Sequence, residues 1–380
     1  MKKIIQNNTW SISSFLENKN YNFDKDQILS NLPGNFIDEA IESISSWDNY
    51  APTPLLKLNK LKDELKLNNI YYKDEDKRFD LKSFKALGGA FAVYKIASEK
   101  KDIKVSTATA GNHGRSVAWG AQRLGLKCKI FISEFVSESR AEAMRNLDAE
   151  VIRVKGNYDN SLKECIEQSN KNNWEIVQDV SWEGYKEVPK LIMAGYTIMV
   201  KEIIDEIDKN SITHVFLQAG VGGMAAAIIA GFAKLSKNIP QFVVVEPENA
   251  DCVFQSIKNN KPTTVDIKKE TVMGGMSCGD VSSIAWEILK NSANSCLTIP
   301  DEAISTAVAL LAEARLSDEK IIGGECAVPG IIALIGSFNN KEYLDKLKLN
   351  SESNVLLFGC EGLTDDAMYQ KLLNDGLQKI

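Results

Sequence analysis

The stretch LKSFKALGGA, residues 81–90, guides the interpretation of the whole sequence. Lys85 stands near the start of a helix that we predict over residues 83–95, beside a serine and ahead of small residues. A lysine in such a position is most often a solvated surface side chain. The other interpretation is chemical, because a lysine amine can form a Schiff base with a carbonyl compound. The rest of the sequence decides between the two.

A second signal, QAGVGGM at residues 218–224, follows the strand-like run HVFL at 214–217. A helical run, AAAII, comes directly after it. A strand, a glycine turn and a helix N-terminus bind anions, because free backbone N–H groups and the helix dipole favour negative charge. The turn lacks the lysine of a P-loop and the third glycine of the dinucleotide fingerprint. Alone it could be a simple turn, but a reactive lysine together with a phosphate-binding loop is what pyridoxal phosphate requires.

Composition and charge exclude several classes of protein. The chain has 380 residues, enough for two domains with a large core. A net charge of −6 offers no basic surface, so we expect neither nucleic acid nor membrane as a partner. No apolar run approaches the roughly 20 residues of a membrane span, and residues 1–9 lack a signal-peptide core. Seven cysteines without close spacing predict a reduced, cytoplasmic protein with no metal site.

Short β-rich runs alternate with helical patterns from residue 70 onwards. We predict strands over 70–73, 105–109, 129–132, 150–154, 214–218, 242–246 and 354–358. We predict helices over 83–95, 114–124, 137–147, 160–169 and 222–235, and a long helix near 188–207 as a hinge between two sheets. Such alternation is typical of an α/β fold with mostly parallel sheets. Residues 1–50 are interpreted as a tethered extension of loops and short apolar pieces.

The loop STATAGNHGR, residues 106–115, is the third signal. A predicted strand ends in a turn of small residues that leads directly into a predicted helix. Such a turn directs backbone N–H groups and a threonine hydroxyl at a carboxylate. We therefore expect an amino-acid substrate to bind here by its carboxylate.

With these motifs in order, the sequence resembles the fold-type-II pyridoxal-phosphate enzymes, and within them the diaminopropionate ammonia-lyases. The resemblance covers roughly residues 50–370. The matching runs are TPL (53–55), KDE (73–75), RF (78–79), SFKALGG (83–89), GNHGR (111–115), NYD (157–159), QDVSWEGY (178–185), AGVGG (219–223), GE (324–325) and EG (361–362). It implies two open, mostly parallel twisted sheets flanked by helices, with the cofactor in an interdomain cleft. The large cofactor-binding domain would comprise residues 1–85 plus 200–380, and the small substrate-carboxylate domain residues 86–199. A homodimer is also implied.

The resemblance assigns roles to individual residues. Lys85 would carry the cofactor as a Schiff base and, once displaced by substrate, act as the base at Cα. Asn112 would lie against the cofactor ring, and Cys360 would face its pyridine nitrogen, where a neutral thiol favours elimination over racemisation. The phosphate would be bound by Gly220, Val221, Gly222, Gly223 and Met224. The substrate carboxylate would be bound by Thr109, Ala110, Gly111 and His113, the last of which could equally be structural.

Asp179 matches the acidic residue expected beside the β-amino group of diaminopropionate. A carboxylate there would pair with the β-ammonium and help it leave as ammonia. Tyr158 and Trp182 would form walls of the same pocket. The alternative is an aspartate at a strand end that caps the following turn.

One position departs from the family pattern. The residue before Gly-Asn-His-Gly is expected to be an aspartate that serves as base for the D-isomer, but here it is Ala110. Alanine at this position resembles the corresponding loop of threonine and serine dehydratases. We therefore expect turnover of the L-isomer, with turnover of the D-isomer lost or weakened.

The leading interpretation is an α,β-elimination of a β-substituted L-amino acid, best represented by 2,3-diaminopropionate, to pyruvate and ammonia. A serine or threonine dehydratase is the nearest alternative, although Asp179 suits a β-amine better than a hydroxyl. A β-replacement transferase would need a second-substrate pocket. A non-catalytic binding protein remains a further alternative, against which the intact Lys85 argues.

Overall fold

The computed structural model describes residues 10–207 and 211–380 in two compact units. Unit one comprises Met1–Asn31, Pro52–Lys77 and Met199–Ile380, and unit two comprises Leu32–Ala51 and Arg78–Ile198. Residues 32–51 and 78–85 group with unit two, and Met199 groups with unit one. Lys85 is therefore part of the same unit as Asn112 and Asp179.

The elements follow in chain order. The strands are β1 (Ser14–Glu17), β2 (Leu55–Lys57), β3 (Asn69–Asp74), β4 (Lys104–Ala108), β5 (Lys127–Ser133), β6 (Ala149–Val154), β7 (Glu175–Ile176), β8 (His214–Gln218), β9 (Gln241–Pro247), β10 (Ser295–Ile299) and β11 (Asn354–Gly359). The first helices are α1 (Lys25–Asn31), α2 (Gly34–Ser45), α3 (Asn59–Leu65), α4 (Lys85–Glu99), α5 (Asn112–Arg123), α6 (Glu138–Arg145), α7 (Tyr158–Asn172) and α8 (Glu187–Tyr196). The later helices are α9 (Ile198–Glu206), α10 (Gly223–Leu235), α11 (Cys252–Asn259), α12 (Ser283–Ser292), α13 (Ile304–Ala312), α14 (Pro329–Phe338), α15 (Lys341–Leu347) and α16 (Asp366–Leu377).

Unit one is built on a seven-stranded sheet in the order β1-β10-β9-β8-β11-β3-β2. The five inner strands are parallel, and the edge strands β1 and β2 are antiparallel to their neighbours. Strands β8, β10 and β11 are buried along their whole length, as expected of parallel strands covered on both faces. Helix α14 packs on this sheet and is buried from Pro329 to Ser337, so it is apolar on every side.

Unit two is built on a four-stranded parallel sheet in the order β6-β5-β4-β7. Helix α7 packs against β4 and β5, where Ala108, Phe131 and Cys165 form a buried cluster. Because the strands are parallel, their carboxyl ends meet at one edge of the sheet, where ligands of such sheets bind. The loops after β4 and β7 both lie at this edge.

The predicted alternation of strands and helices, and the mostly parallel sheets, are confirmed. The interpretation of residues 1–50 as a tethered extension of loops and short apolar pieces missed the regular elements of this segment. Strand β1 pairs with β10 at the edge of the larger sheet, and Ile37, Ala40 and Ile44 bury one face of α2 in unit two. The part of the interpretation that concerns residues 1–9 lies outside the described residues. The long helix predicted near 188–207 is two helices, α8 and α9, with Thr197 between them.

A buried polar network explains the TPL and KDE motifs of unit one. The Lys73 ammonium is fully buried and forms an ion pair with Glu202, 2.6 Å from Oε2. It also donates to the backbone oxygen of Thr53 at 2.6 Å, and the Thr53 hydroxyl donates to Glu75 at 2.6 Å. Buried charges of this kind persist only when they are paired and hydrogen-bonded.

Across residues 10–207 and 211–380, every helix falls short of the length and hydrophobicity that crossing a bilayer requires.

Glycines let the helix that begins at Lys85 sit between two neighbours. A Cβ on Gly88 would lie 2.5 Å from the backbone oxygen of Ile192 in α8, and a Cβ on Gly195 would lie 2.8 Å from the Cα of Gly88. On the α5 side, a Cβ on Gly89 would lie 2.5 Å from the Ser116 hydroxyl. The same hydroxyl accepts the backbone N–H of Ala90 at 3.1 Å. Helix α4 can therefore approach α5 and α8 only because these positions lack side chains.

Replacing Gly88 with alanine is expected to destabilise the protein by about 1–3 kcal/mol, because the added methyl group meets backbone atoms that cannot move aside. In an open helix the same change would favour folding. Urea and thermal unfolding measure the effect. Gly274→Ala is the control, since a Cβ there meets no atom within 4 Å. Equal stability of the two variants would show that the helix crossing relaxes freely.

Candidate active site

The central feature of unit two is an ion pair between Lys85 and Asp179. Lys85 is the first residue of α4, and Asp179 lies in the loop after β7. The Lys85 Nζ atom is 2.5 Å from Asp179 Oδ2. The side chains are 27% and 13% exposed, so the pair is only partly shielded from solvent. The Asp179 carboxylate thus binds the Lys85 ammonium. It lies eight residues before the start of the next helix, α8, at Glu187.

The ion pair fixes the charge of Asp179. Burial alone would raise the pKa of this carboxyl group, but the neighbouring His113 and the Lys85 ammonium with its hydrogen bond outweigh burial, and the pKa falls below its usual range. Asp179 is therefore a carboxylate at every physiological pH.

His113 lies beside the pair and is neutral, because burial lowers its pKa. Its Nε2 atom is 2.8 Å from the backbone oxygen of Val177. Since a carbonyl oxygen can only accept, Nε2 carries the proton, and Nδ1 has a free lone pair. Nδ1 lies 3.9 Å from Asp179 Oδ2 and makes no hydrogen bond within the described chain.

Gln178 ties the Asp179 loop to the end of β4, a role that the sequence did not indicate. Its side-chain oxygen accepts from the Thr107 hydroxyl at 2.8 Å and from the Ala108 backbone N–H at 3.1 Å. Its amide nitrogen donates to the Ala108 backbone oxygen at 3.0 Å and to the Tyr158 hydroxyl at 2.9 Å. The available signal was its place immediately before Asp179. Tyr158 is 45% exposed, so its ring can contact a ligand at this edge of the sheet.

Tyr185 holds the same loop from its other side. Its hydroxyl accepts the backbone N–H of Gln178 at 2.8 Å and donates to the backbone oxygen of Ile176 at 2.8 Å. The Tyr185 ring stacks on Trp182, with 4.2 Å between centroids. The WEGY run thus forms a tight turn that fixes Gln178 and, through it, Asp179.

The predicted carboxylate-binding loop forms the N-terminus of α5 in unit two. Gly111 is the N-cap, and no side chain of the described chain caps this helix end. A Cβ on Gly111 would meet no atom within 4 Å, whereas one on Gly114 would meet Thr109 at 3.1 Å. The side of the loop at Gly111 is therefore open to a ligand. Ala110 is half-buried next to it.

The predicted phosphate-binding turn lies in unit one, between β8 and α10. Gly222 has a φ of +87°, a conformation that glycine adopts without strain, and no side chain within the described residues caps α10. A Cβ on Gly220 would lie 3.0 Å from Cys278 Sγ, while one on Gly223 would meet nothing within 4 Å. The turn is therefore packed on one side and open on the other. This shape fits the phosphate of pyridoxal phosphate.

Cys360 follows β11 in unit one and is 4% exposed. Its thiol donates to the backbone oxygen of Cys326 at 3.1 Å, which also accepts from the amide of Gln218 at 2.9 Å. Buried ligand atoms of Glu325, Cys326 and Glu361 lie within 4.8 Å of one another, a spacing that a metal ion could bridge. However, Glu361 already accepts the backbone N–H of Cys326 at 3.1 Å.

The chain is similar to known proteins along most of its length. The chain matches the model of the pyridoxal-phosphate dependent enzyme family over residues 47–358. It is 32% identical to the diaminopropionate ammonia-lyase of Escherichia coli strain K12, over 95% of this chain and 96% of the relative. It is 34% identical to the diaminopropionate ammonia-lyase of Salmonella typhimurium strain LT2, over 92% of this chain and 94% of the relative.

A solved structure is similar along almost the whole chain. It is the Escherichia coli diaminopropionate ammonia-lyase in complex with an aminoacrylate-PLP azomethine reaction intermediate, with a TM-score of 0.88 and 31% identity. The match covers 96% of this chain and 98% of the solved chain.

Asp179→Asn is expected to destabilise the cofactor-free protein by about 1–2 kcal/mol at pH 7, because it leaves the Lys85 ammonium without its counter-charge. A carboxyl group with a lowered folded-state pKa stabilises the fold above its unfolded value of about 3.9, and this stabilisation disappears as pH falls. The difference between wild type and variant should therefore shrink below about pH 4. Urea unfolding at several pH values between about 3 and 7 measures this difference in stability.

The matched control is Asp375→Asn, an exposed aspartate in α16. It should change stability little at any pH. A constant difference between wild type and Asp179→Asn across the pH range would contradict the ionic origin of the effect.

Proposed function

Because the chain belongs to the pyridoxal-phosphate-dependent enzyme family and, within it, to the diaminopropionate ammonia-lyases, we propose that it eliminates ammonia from L-2,3-diaminopropionate. The released 2-aminoacrylate hydrolyses to pyruvate and a second ammonia. The observation that carries the proposal is the ionised Asp179 carboxylate, which binds a primary ammonium at 2.5 Å in this structure.

The chain supplies the groups that the cofactor needs. We propose that Lys85 attaches it covalently and that Gly220, Val221, Gly222, Gly223 and Met224 bind its phosphate, which the open side of the turn at Gly223 supports. Asn112 would lie against the ring. Bound pyridoxal phosphate withdraws electrons from Cα of an attached amino acid and so acidifies the Cα proton.

Cys360 suits elimination because of where its proton is placed. We propose that its sulfur faces the pyridine nitrogen. Since its thiol proton is donated to the backbone oxygen of Cys326, Cys360 has no proton to offer the ring. An unprotonated ring stores less negative charge, which favours prompt loss of a β-substituent over reprotonation at Cα.

Lys85 and Asp179 divide the proton chemistry. Once released from the cofactor, the Lys85 amine takes the Cα proton. Asp179, with its lowered pKa, keeps the β-amine of the substrate in its ammonium form. This matters because an ammonium group leaves carbon as neutral ammonia, whereas an uncharged amine would have to leave as an amide anion. In the cofactor-free chain, the Lys85 ammonium takes the place that we assign to the β-ammonium.

The substrate carboxylate would bind to the loop Thr109, Ala110, Gly111 and His113, mainly through backbone N–H groups. The uncapped N-terminus of α5 and the open space at Gly111 support this assignment. We propose that Tyr158 and Trp182 form walls of the β-amine pocket. Tyr158 is already joined to Gln178, the residue before Asp179.

The remaining assignments are coarser. We propose that unit one is mainly the cofactor-binding domain and that unit two mainly binds the substrate carboxylate. We also propose a homodimer and a location in the reducing cytoplasm. The location is supported by the seven cysteines, because within the described residues none of them forms a disulfide. Light scattering of the purified protein tests the oligomeric state.

The decisive test of function compares pyruvate release by the cofactor-loaded enzyme from L-diaminopropionate, L-serine and β-chloro-L-alanine. We expect kcat/KM to be highest for the diamine. In Asp179→Asn, kcat/KM for the diamine should fall about 100-fold or more, as for loss of a group that assists departure of the leaving group. Turnover of β-chloro-L-alanine, whose leaving group needs no ammonium, should fall far less. A wild-type preference for serine would place the chain among the dehydratases, and pyruvate from none would point to β-replacement.

A second test concerns stereochemistry. With alanine at position 110, the wild-type enzyme should turn over the D-isomer of diaminopropionate at least about tenfold more slowly than the L-isomer, because a base on the second face is missing. Ala110→Asp should raise turnover of the D-isomer. Ala110→Asn is the matched control, as it has the same shape but no basic carboxylate. Similar wild-type rates for both isomers would show that another base serves the second face.

A further inference from the structure

Tyr196 carries a buried hydroxyl that nothing in the described part of the chain satisfies. The residue is 2% exposed, and its oxygen has no hydrogen-bond partner there. A buried polar group left unpaired lowers the stability of the fold, so such groups are rare and call for an explanation. Tyr196 ends α8, and neither its sequence context nor the assigned roles give it a function.

The Tyr196 ring packs against the first turn of α4, the turn that contains Lys85. The ring packs edge-on against Phe84, the residue before Lys85, with 4.7 Å between centroids. Its Cε1 atom lies 2.5 Å from the position of a Cβ on Gly88, three residues after Lys85. Only glycine at position 88 lets the phenol reach this turn. Both Lys85 and Asp179 act electrostatically on the hydroxyl, and burial raises its pKa, so it stays protonated.

A second unpaired atom lies beside the same ion pair. His113 Nδ1 is fully buried, bears a lone pair, and is 3.9 Å from Asp179 Oδ2. Two otherwise unpaired acceptors therefore accompany the carboxylate that holds the Lys85 ammonium. An ammonium group has three N–H bonds to donate, so a substrate ammonium that binds one carboxylate oxygen has further N–H bonds to offer.

We propose that the Tyr196 hydroxyl determines specificity for a substrate with a β-ammonium group, accepting one of its N–H bonds beside Asp179 and His113. This inference rests on the proposed function and adds a residue to it. A substrate with a β-halogen has no N–H or O–H group at this position, so the Tyr196 hydroxyl stays unpaired when it binds. The free energy that is lost by burying an unpaired hydroxyl is therefore recovered with a β-ammonium and not with a β-halogen.

The test is Tyr196→Phe, which removes one oxygen and keeps the ring against Phe84. We expect kcat/KM for L-diaminopropionate to fall about 10-fold to 100-fold, the range for losing a hydrogen bond to a charged group. For β-chloro-L-alanine, kcat/KM should stay within about twofold. The thermal midpoint of the cofactor-free protein should stay equal or rise, because the hydroxyl it loses is unpaired.

Tyr369→Phe is the matched control, since Tyr369 is a buried tyrosine in α16 of unit one, away from Lys85 in the chain. It should change the two substrates equally or not at all. Equal losses for both substrates in Tyr196→Phe, an unchanged diamine rate, or a lowered thermal midpoint would each overturn the inference while leaving the proposed function intact. A wild-type enzyme inactive on the diamine would overturn both.

Discussion

The close crossing of α4 with α8 and α5 is the constraint on which the rest of unit two depends. Gly88 and Gly195 bring two helix backbones together where any side chain would collide. The crossing fixes the first turn of α4 and, with it, the starting point of the Lys85 side chain. It also brings the Tyr196 ring onto that turn. One packing requirement thus explains both the glycine pair of the SFKALGG run and the position of Lys85.

Hydrogen bonds hold the Asp179 side of the ion pair, whereas helix packing holds the Lys85 side. Gln178 joins the end of β4 to the Asp179 loop through three hydrogen bonds to Thr107 and Ala108. The Tyr185 hydroxyl accepts the backbone N–H of Gln178 and so holds the same loop. A short carboxylate side chain on so constrained a loop has few orientations. It can therefore meet an ammonium without a large loss of side-chain entropy at the moment of binding.

Local patterns in the sequence were enough to predict the order of most strands and helices along the chain. Lys85 was singled out by its place at the start of a predicted helix, whereas Asp179 was assigned through the family resemblance. Local patterns failed where the partner is distant. Strand β1 pairs with residues 295–298, and no local pattern contains that pairing. Helix α2 had a usable signal, since Ile37, Ala40 and Ile44 recur with helical spacing, but the Asn- and Asp-rich loops around it concealed the signal. The break at Thr197 was equally hidden, as its neighbours are apolar on both sides.

Unpaired groups also explain why specificity could not be seen in the sequence. Tyr196 looks like a core tyrosine and His113 like a structural histidine, because burial and ring packing account for most of their surface. Only the three-dimensional structure shows that each keeps one buried polar atom without a hydrogen-bond partner among the described residues. Such atoms lower the stability of the folded chain when no ligand is bound. The Lys85 ammonium is present in the cofactor-free chain and leaves both atoms unpaired. A fold can keep such atoms when the binding of a ligand supplies the missing hydrogen bonds.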